Sequence, residues 1–145
     1  MFRAASCLIA LALLAGCVTA FHPPTAAHME QLPFSDTRFD GRLAWSIGSA
    51  GDRTVIEGLF RNIRYPLMTE LELWAWPAGR EHESGRASYF VPDLREGEIA
   101  AFRLELPRQP SGSRVQLLYK YLETDGGGES GSAARWSQTF EIPVP

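Results

Sequence analysis

Cysteine is scarce in this chain, whose 145 residues contain only Cys7 and Cys17. Cys7 lies within an apolar N-terminal run and Cys17 directly follows that run, so residues 18–145 contain no thiol. This absence excludes disulfide bonds, thiolate metal sites and cysteine nucleophiles from that part of the chain. We therefore expect a domain built from these residues to be held together by its apolar core alone.

Lysine is scarcer still, because Lys120 is the only lysine among the 14 basic residues. The 17 acidic residues leave a net charge of −3, and the two signs are interspersed along the chain. A nucleic-acid-binding domain usually carries clustered basic residues on a strongly positive surface. The sequence thus predicts no nucleic-acid partner.

No apolar run is long enough to cross a membrane. The longest, Leu8–Ala15, follows Met1-Phe2-Arg3 and ends well short of the roughly 20 apolar residues that a transmembrane helix needs. One positive charge followed by a short apolar run is typical of a secretory signal peptide. We predict that residues 1–16 form this signal, whose removal takes Arg3 with it and shifts the net charge from −3 to −4.

The signal ends in Leu14-Ala15-Gly16-Cys17, which resembles the lipobox of bacterial lipoproteins. Small residues at 15 and 16 give a peptidase access to the backbone, and a thiol readily forms a thioether to a diacylglyceryl group. The resemblance implies that Cys17 is lipidated and anchors the chain to a membrane. By resemblance to Gram-negative lipoproteins, Val18 after the cysteine, rather than an aspartate, favours sorting to the outer membrane, facing the periplasm. The alternative is a chance cysteine in a plain signal peptide or an uncleaved anchor.

The segment after the cysteine, residues 17–40, shows neither a period of two nor a period of 3.6 residues. We predict a lipidated N-terminus and flexible tether here, which would span about 25 Å on average. Residues 41–145 suit one domain and leave no room for two.

Short runs of alternating apolar residues recur between turn clusters in residues 41–145, with no convincing amphipathic helix. This pattern predicts an all-β fold, a single antiparallel immunoglobulin-like sandwich of about seven strands. The predicted strands cover residues 43–47, 54–62, 68–76, 87–91, 101–106, 114–123 and 135–142.

Two stretches carry a family resemblance: Ile56-x-Gly58-x-Phe60-x-Asn62, and Leu94-x-x-Gly97-Glu98-x-x-x-Phe102-x-Leu104-x-Leu106. With the Leu71/Leu73 strand between them, they resemble the FxLYD-type bacterial immunoglobulin-like domains. In the second stretch, the glycine permits a tight turn into a strand whose Phe and Leu side chains point inward. The resemblance implies a scaffold or binding role and transfers no catalytic residue.

Patterns of enzyme chemistry are missing from the chain. No serine stands in Gly-x-Ser-x-Gly, and no phosphate-binding glycine loop precedes a helix. The three histidines, His22, His28 and His82, are spread over the tether and one turn, so a metal site would need unrelated loops to converge. We expect no enzyme activity, no metal and no cofactor.

The most suggestive surface is the side of the 68–76 strand opposite Leu71 and Leu73, which would present Glu70, Glu72, Trp74 and Trp76. Such tryptophans could grip a protein or stack on sugar rings. The alternative is that a bulge inverts the register or that other elements cover the indoles. The two glutamates could also serve a glycoside hydrolase, although alternating surface carboxylates on an exposed strand are the usual explanation.

Three functional hypotheses follow. The leading one is a non-catalytic, lipid-anchored envelope module that binds or helps assemble another envelope protein. The second is a carbohydrate- or peptidoglycan-binding module using the same tryptophans, and a hydrolase is the third. The glycine-rich loop 125–132 could join a binding surface, but it lacks stiff aromatic side chains and would lose much entropy on ordering.

Overall fold

The structure is a computed structural model that describes residues 23–79, 85–123 and 134–145. It contains one short helix and eight strands in these ranges. In chain order they are α1 Ala26–Gln31, β1 Phe34–Thr37, β2 Gly41–Ala50, β3 Arg53–Asn62, β4 Leu67–Pro77, β5 Ala87–Arg95, β6 Ile99–Pro107, β7 Arg114–Glu123 and β8 Ala134–Pro143. No helix within the described ranges is both long and apolar enough to cross a membrane.

The strands form two four-stranded antiparallel sheets that pack face to face. Sheet I has the order β1-β2-β3-β6 and sheet II has the order β5-β4-β7-β8. The all-β sandwich expected from the sequence is confirmed, and all seven predicted strands are present with ends within a few residues of those expected.

The core lies between the sheets and is filled by every second residue of the long strands. In β4 and β7, the central strands of sheet II, the inward rows are fully buried, whereas their outward neighbours are half-buried or exposed. In sheet I, Phe102, Leu104 and Leu106 point inward from edge strand β6, as expected from the sequence. Gly97 makes the preceding turn with a φ of +81°, which glycine tolerates best.

Gly58 of β3 is required by close packing rather than by backbone conformation. A Cβ atom at this position would lie 2.5 Å from the Phe102 ring and 2.6 Å from the Ala44 carbonyl oxygen. The glycine in the Ile56-x-Gly58-x-Phe60 stretch therefore makes room for an aromatic ring of the neighbouring strand.

The prediction of an unstructured tether over residues 17–40 is wrong for two segments. Strand β1 pairs with β2, and Phe34 stacks on Trp45 with ring centroids 6.0 Å apart. Helix α1 covers the outer face of sheet I, where Met29 is buried against Ala44 and Leu59. The folded region thus begins near Thr25 rather than Gly41. Residues 17–22 lie outside the described ranges.

A β-bulge in β4 is the other departure from the regular pattern. Glu70 has a φ of +52°, and the pairing with β7 shifts register between Thr69 and Glu72. The bulge lets Met68 and Leu71, three residues apart, both point into the core. It does not invert the rest of the strand, since Leu73 and Ala75 are also fully buried.

Candidate functional site

The outer face of sheet II carries the tryptophans singled out from the sequence. Trp74 and Trp76 project from β4 on the side opposite Leu71 and Leu73, and both indoles are half-buried. We call this surface the tryptophan face, formed by Glu72, Trp74 and Trp76 of β4, Arg86, Ser88 and Phe90 at β5, and Gln116, Leu118 and Lys120 of β7.

Strand pairing sets the neighbours of each side chain on the tryptophan face. Trp74 stands opposite Ser88 on one side and Leu118 on the other, and Glu72 stands between Phe90 and Lys120. Phe90 is 57% exposed, more than either tryptophan. The face thus has two half-buried indoles at its centre and one protruding phenyl ring.

Polar contacts fix the Trp74 indole. Its Nε1–H donates a 2.7 Å hydrogen bond to Oε2 of Glu72, and the Lys120 Nζ lies 3.1 Å from the same oxygen. Glu72 therefore accepts from an indole and pairs with an ammonium group, an arrangement that holds its carboxylate in place.

Cations flank both indole rings. The guanidinium carbon of Arg86 lies 4.7 Å from the Trp74 ring centroid and 5.6 Å from that of Trp76. The Lys120 Nζ lies 5.5 Å from the Trp74 centroid. Cation–π contacts of this kind stiffen long basic side chains over an aromatic surface.

Glu70 does not share the geometry of the other site residues. It is exposed and lies in the bulge, outside the regular alternation that predicted a shared strand face for Glu70 and Glu72. The structure therefore joins Glu72, Trp74 and Trp76 into one regular surface, and Glu70 lies at its border, where it lines a small cleft with Glu72 and Lys120.

Sequence reasoning missed Arg86, Phe90 and Lys120. The alternation in β5 could have shown that the Phe90 side chain lies on the opposite side of the strand from Tyr89 and Val91. What a single sequence could not supply is the register of β5 and β7 against β4, which brings these residues beside the tryptophans.

The structure describes one of the three histidines. His28 lies in α1, where its Nδ1 accepts from the Thr25 backbone N–H at 3.2 Å. Within residues 23–79, 85–123 and 134–145, no three His, Cys, Asp or Glu side chains are grouped to hold a metal ion. His22, His82, the loop 125–132 and the predicted lipidation site Cys17 lie outside the described residues.

Two grooves flank α1 on the outer face of sheet I, and neither could be predicted from the sequence because α1 was not expected. The larger, of about 650 Å3, is lined by His28, Leu32, Ser46, Leu59, Tyr89 and Arg103. Its charged lining residues Glu57 and Arg103 form an ion pair across β3 and β6. The second, of about 620 Å3, is lined by Pro23, Pro24, Arg61, Asp93, Glu98 and Ile99.

A buried polar network ties the two sheets together at one end. Asp40, which is 1% exposed, accepts hydrogen bonds of 2.6 Å from the hydroxyl groups of both Tyr119 and Tyr121. Burial and these hydrogen bonds raise the pKa of both tyrosines far above the ordinary value of 10. The phenols therefore remain neutral donors to the carboxylate at physiological pH.

Comparisons with known proteins do not indicate a function. No family model matches the chain, and no curated protein matches it. Among solved structures, the chain is similar to the GAE domain of GGA2p from Saccharomyces cerevisiae, at 10% sequence identity and a TM-score of 0.48. That alignment covers 76% of this chain and 94% of the GAE domain chain. At this identity and TM-score, the likeness does not indicate a shared function.

Proposed function

We propose that the protein is a non-catalytic, lipid-anchored module of the bacterial envelope that binds another envelope protein through the tryptophan face. The observation that carries the binding proposal is the composition of that face. It contains two indoles in contact with neighbouring basic side chains, and an exposed phenyl ring beside them. The anchor proposal is supported by Leu14-Ala15-Gly16-Cys17, and Val18 favours the outer membrane.

The tryptophan face has the composition of a protein-binding surface. Protein interfaces are enriched in Trp, Tyr, Phe and Arg, and their strongest contacts cluster in a packed centre surrounded by polar groups. Trp74 and Trp76 form such a centre, with Arg86 over both rings and Lys120 over the ring of Trp74. Since these side chains already contact one another, they would lose little conformational entropy on binding.

The same contacts weigh against a sugar ligand. Stacking on a sugar ring needs an open aromatic face, whereas Arg86 and Lys120 lie over the Trp74 ring. The indole N–H and the Glu72 carboxylate, which could otherwise bind sugar hydroxyls, are bonded to each other. We therefore place protein binding ahead of carbohydrate or peptidoglycan binding, and both ahead of a hydrolase.

Crosslinking in cells tests the binding proposal. A photoreactive residue is placed at Ser88, which is exposed and stands opposite Trp74, and a control at Ser49, an exposed residue at the end of β2 in sheet I. We expect a discrete protein adduct from position 88 and none of the same mass from position 49. Adding Phe90→Ala should reduce the yield of that adduct about tenfold, the effect of losing one strong interface contact.

Equal adducts from both positions, or a yield from position 88 that is unaffected by Phe90→Ala, would contradict the proposal. Recovery of the protein with purified cell wall, lost on Phe90→Ala, would support the carbohydrate alternative instead.

A further inference from the structure

Three connections meet at one end of the sandwich, which we call the Phe39 end. The β1–β2 turn, the β3–β4 loop and the β5–β6 turn are joined there by backbone hydrogen bonds. The Ile63 N–H donates to the Asp40 carbonyl at 3.2 Å, and the Gly97 N–H donates to the Asn62 carbonyl at 2.8 Å.

The Phe39 end exposes apolar side chains. Five large hydrophobic residues are exposed in the described part of the chain, and three of them belong to this end: Phe39 at 62%, Ile63 at 37% and Trp136 at 43%. Trp136 pairs with Tyr121, whose hydroxyl reaches Asp40, so Trp136 lies at the same end of the sandwich as the β1–β2 turn, and its indole N–H donates to Glu123 at 2.9 Å. Grouped exposed apolar side chains mark interaction or membrane-binding surfaces, whereas scattered ones are ordinary.

Buried hydrogen bonds hold this exposed group in place. Asn62, the residue before Ile63, donates through Nδ2 to the carbonyls of Tyr65 and Leu94 and accepts through Oδ1 from the N–H groups of Arg64 and Tyr65. Asp40, the residue after Phe39, is held by the two tyrosines. Because both supporting residues are buried and bonded, Phe39 and Ile63 are presented on fixed loops.

The N-terminal chain leads to this same end. Pro23 and Pro24 line one cleft together with Gly97 and Glu98 of the β5–β6 turn. Only residues 18–22 separate Cys17 from Pro23, and a fully extended chain of that length reaches about 20 Å. A ten-residue strand such as β3 is about 33 Å long, so a lipid on Cys17 would hold the Phe39 end, and not the opposite end, near the membrane.

We propose that the Phe39 end docks on the lipid surface, with Phe39 and Ile63 inserted among the headgroups and the Trp136 indole at the interface. This inference rests on the proposed lipid anchor. Tryptophan suits the boundary because its ring is apolar and its N–H is polar. The Phe39 end thus contacts the bilayer, and the tryptophan face on sheet II remains accessible to a protein partner.

Charge at the Phe39 end favours apolar insertion over attraction to anionic lipids. Among the described residues at this end, Arg38, Arg64, Arg95 and Arg135 are matched by Asp36, Glu96, Glu98 and Glu123. Arg38 pairs with Asp36 at 2.6 Å, and the Arg64 guanidinium lies 3.5 Å from the Phe39 ring centroid. The basic and acidic side chains are equal in number, so we expect docking on zwitterionic phosphatidylcholine with little dependence on salt.

The test uses the lipidated protein in phosphatidylcholine vesicles. After lipidation the chain has no free thiol beyond the signal, so Arg64→Cys can be labelled with an environment-sensitive fluorophore, and Ser111→Cys in the opposite β6–β7 turn gives a matched control. We expect a blue shift and quenching by brominated lipid at position 64 and neither at position 111. Adding Phe39→Ser and Ile63→Ser should abolish the signal at position 64 without changing the melting temperature.

A second arm separates the docking from the anchor. The mature chain, residues 17–145 with Cys17→Ser, is floated with excess vesicles, and Phe39→Ser with Ile63→Ser should lower its partition coefficient at least about tenfold. A lipidated protein that floats with vesicles but shows no shift at position 64 would overturn the docking while leaving the anchor intact. If the protein carries no lipid, equal partitioning of the two unlipidated chains overturns the docking on its own.

Discussion

At the scale of single residues, the most consequential arrangement is a carboxylate enclosed by two phenols. Asp40 lies in the turn between β1 and β2, and its partners Tyr119 and Tyr121 lie in the other sheet. A buried carboxylate is costly unless it is hydrogen-bonded, so each phenol contributes stability. The alternation along β7 places both tyrosines on one face of the strand, but no sequence pattern pairs them with Asp40.

The raised pKa values of Tyr119 and Tyr121 give a pH dependence with a definite sign. Each hydroxyl ionises near pH 10 in the unfolded chain and well above it in the folded one, so the folded state holds protons that the unfolded state releases. The stability from this source is complete below pH 10. Above pH 10 it falls by about 1.4 kcal/mol per pH unit for each tyrosine.

We therefore predict that Tyr121→Phe lowers the free energy of unfolding by about 1–3 kcal/mol at pH 7 and flattens its decline between pH 10 and pH 11. Urea denaturation at several pH values measures both effects. Tyr89→Phe, at a half-exposed phenol with no part in the network, is the control and should leave the alkaline slope unchanged. A slope that is the same in Tyr121→Phe and the native chain would refute this explanation.

At the scale of elements, the sequence predicts the long strands well and the short N-terminal elements poorly. Strands of nine to eleven residues show several cycles of alternation, as in Val115, Leu117, Tyr119 and Tyr121. By contrast, α1 has six residues and β1 has four, too few for a period to be recognised. Their structure depends on contacts with β2 and β3, which a local pattern does not contain.

The packing of α1 leads to a stability prediction. Met29 is 1% exposed and is the largest side chain of a small cluster with Ala44 and Leu59. We expect Met29→Ala to lower the free energy of unfolding by about 2 kcal/mol, near the low end for buried methionine because the cluster is small. Gln31→Ala, an exposed change in the same helix, should have almost no effect.

Chemical denaturation of Met29→Ala and Gln31→Ala tests whether α1 is packed on the folded domain or belongs to a flexible tether. If Met29→Ala and Gln31→Ala have the same midpoint as the native chain, α1 does not contribute to the folded domain. A loss specific to Met29→Ala supports a domain that begins near Thr25.

Local sequence patterns likewise predict only part of the candidate site. Alternation along β4 predicted that Trp74 and Trp76 face away from Leu71 and Leu73, and the structure shows them there. Their exposure, the cations beside them and the bulge at Glu70 depend on how β5 and β7 pair with β4. Such pairings join residues distant in the sequence, so they cannot be predicted from the local pattern of a single sequence.

At the scale of the whole molecule, the shorter stretch between Cys17 and the folded region changes how the proposed anchor would act. A tether of over twenty residues would let the domain turn freely above the membrane. Because α1 packs on sheet I and β1 is a strand of that sheet, only residues 18–22 lie between Cys17 and the described chain. An anchor at Cys17 would then set the orientation of the domain as well as its location.

Lipid labelling in cells is the most direct test of the anchored state. Cells expressing the native chain, Cys17→Ser or Cys7→Ser are grown with labelled palmitate, fractionated and examined for label and for protein in membranes. We predict that Cys17→Ser loses the label and most of its membrane association, while Cys7→Ser keeps both because it lies in the segment to be removed. Label retained by Cys17→Ser, or a native chain that carries none, would contradict the account.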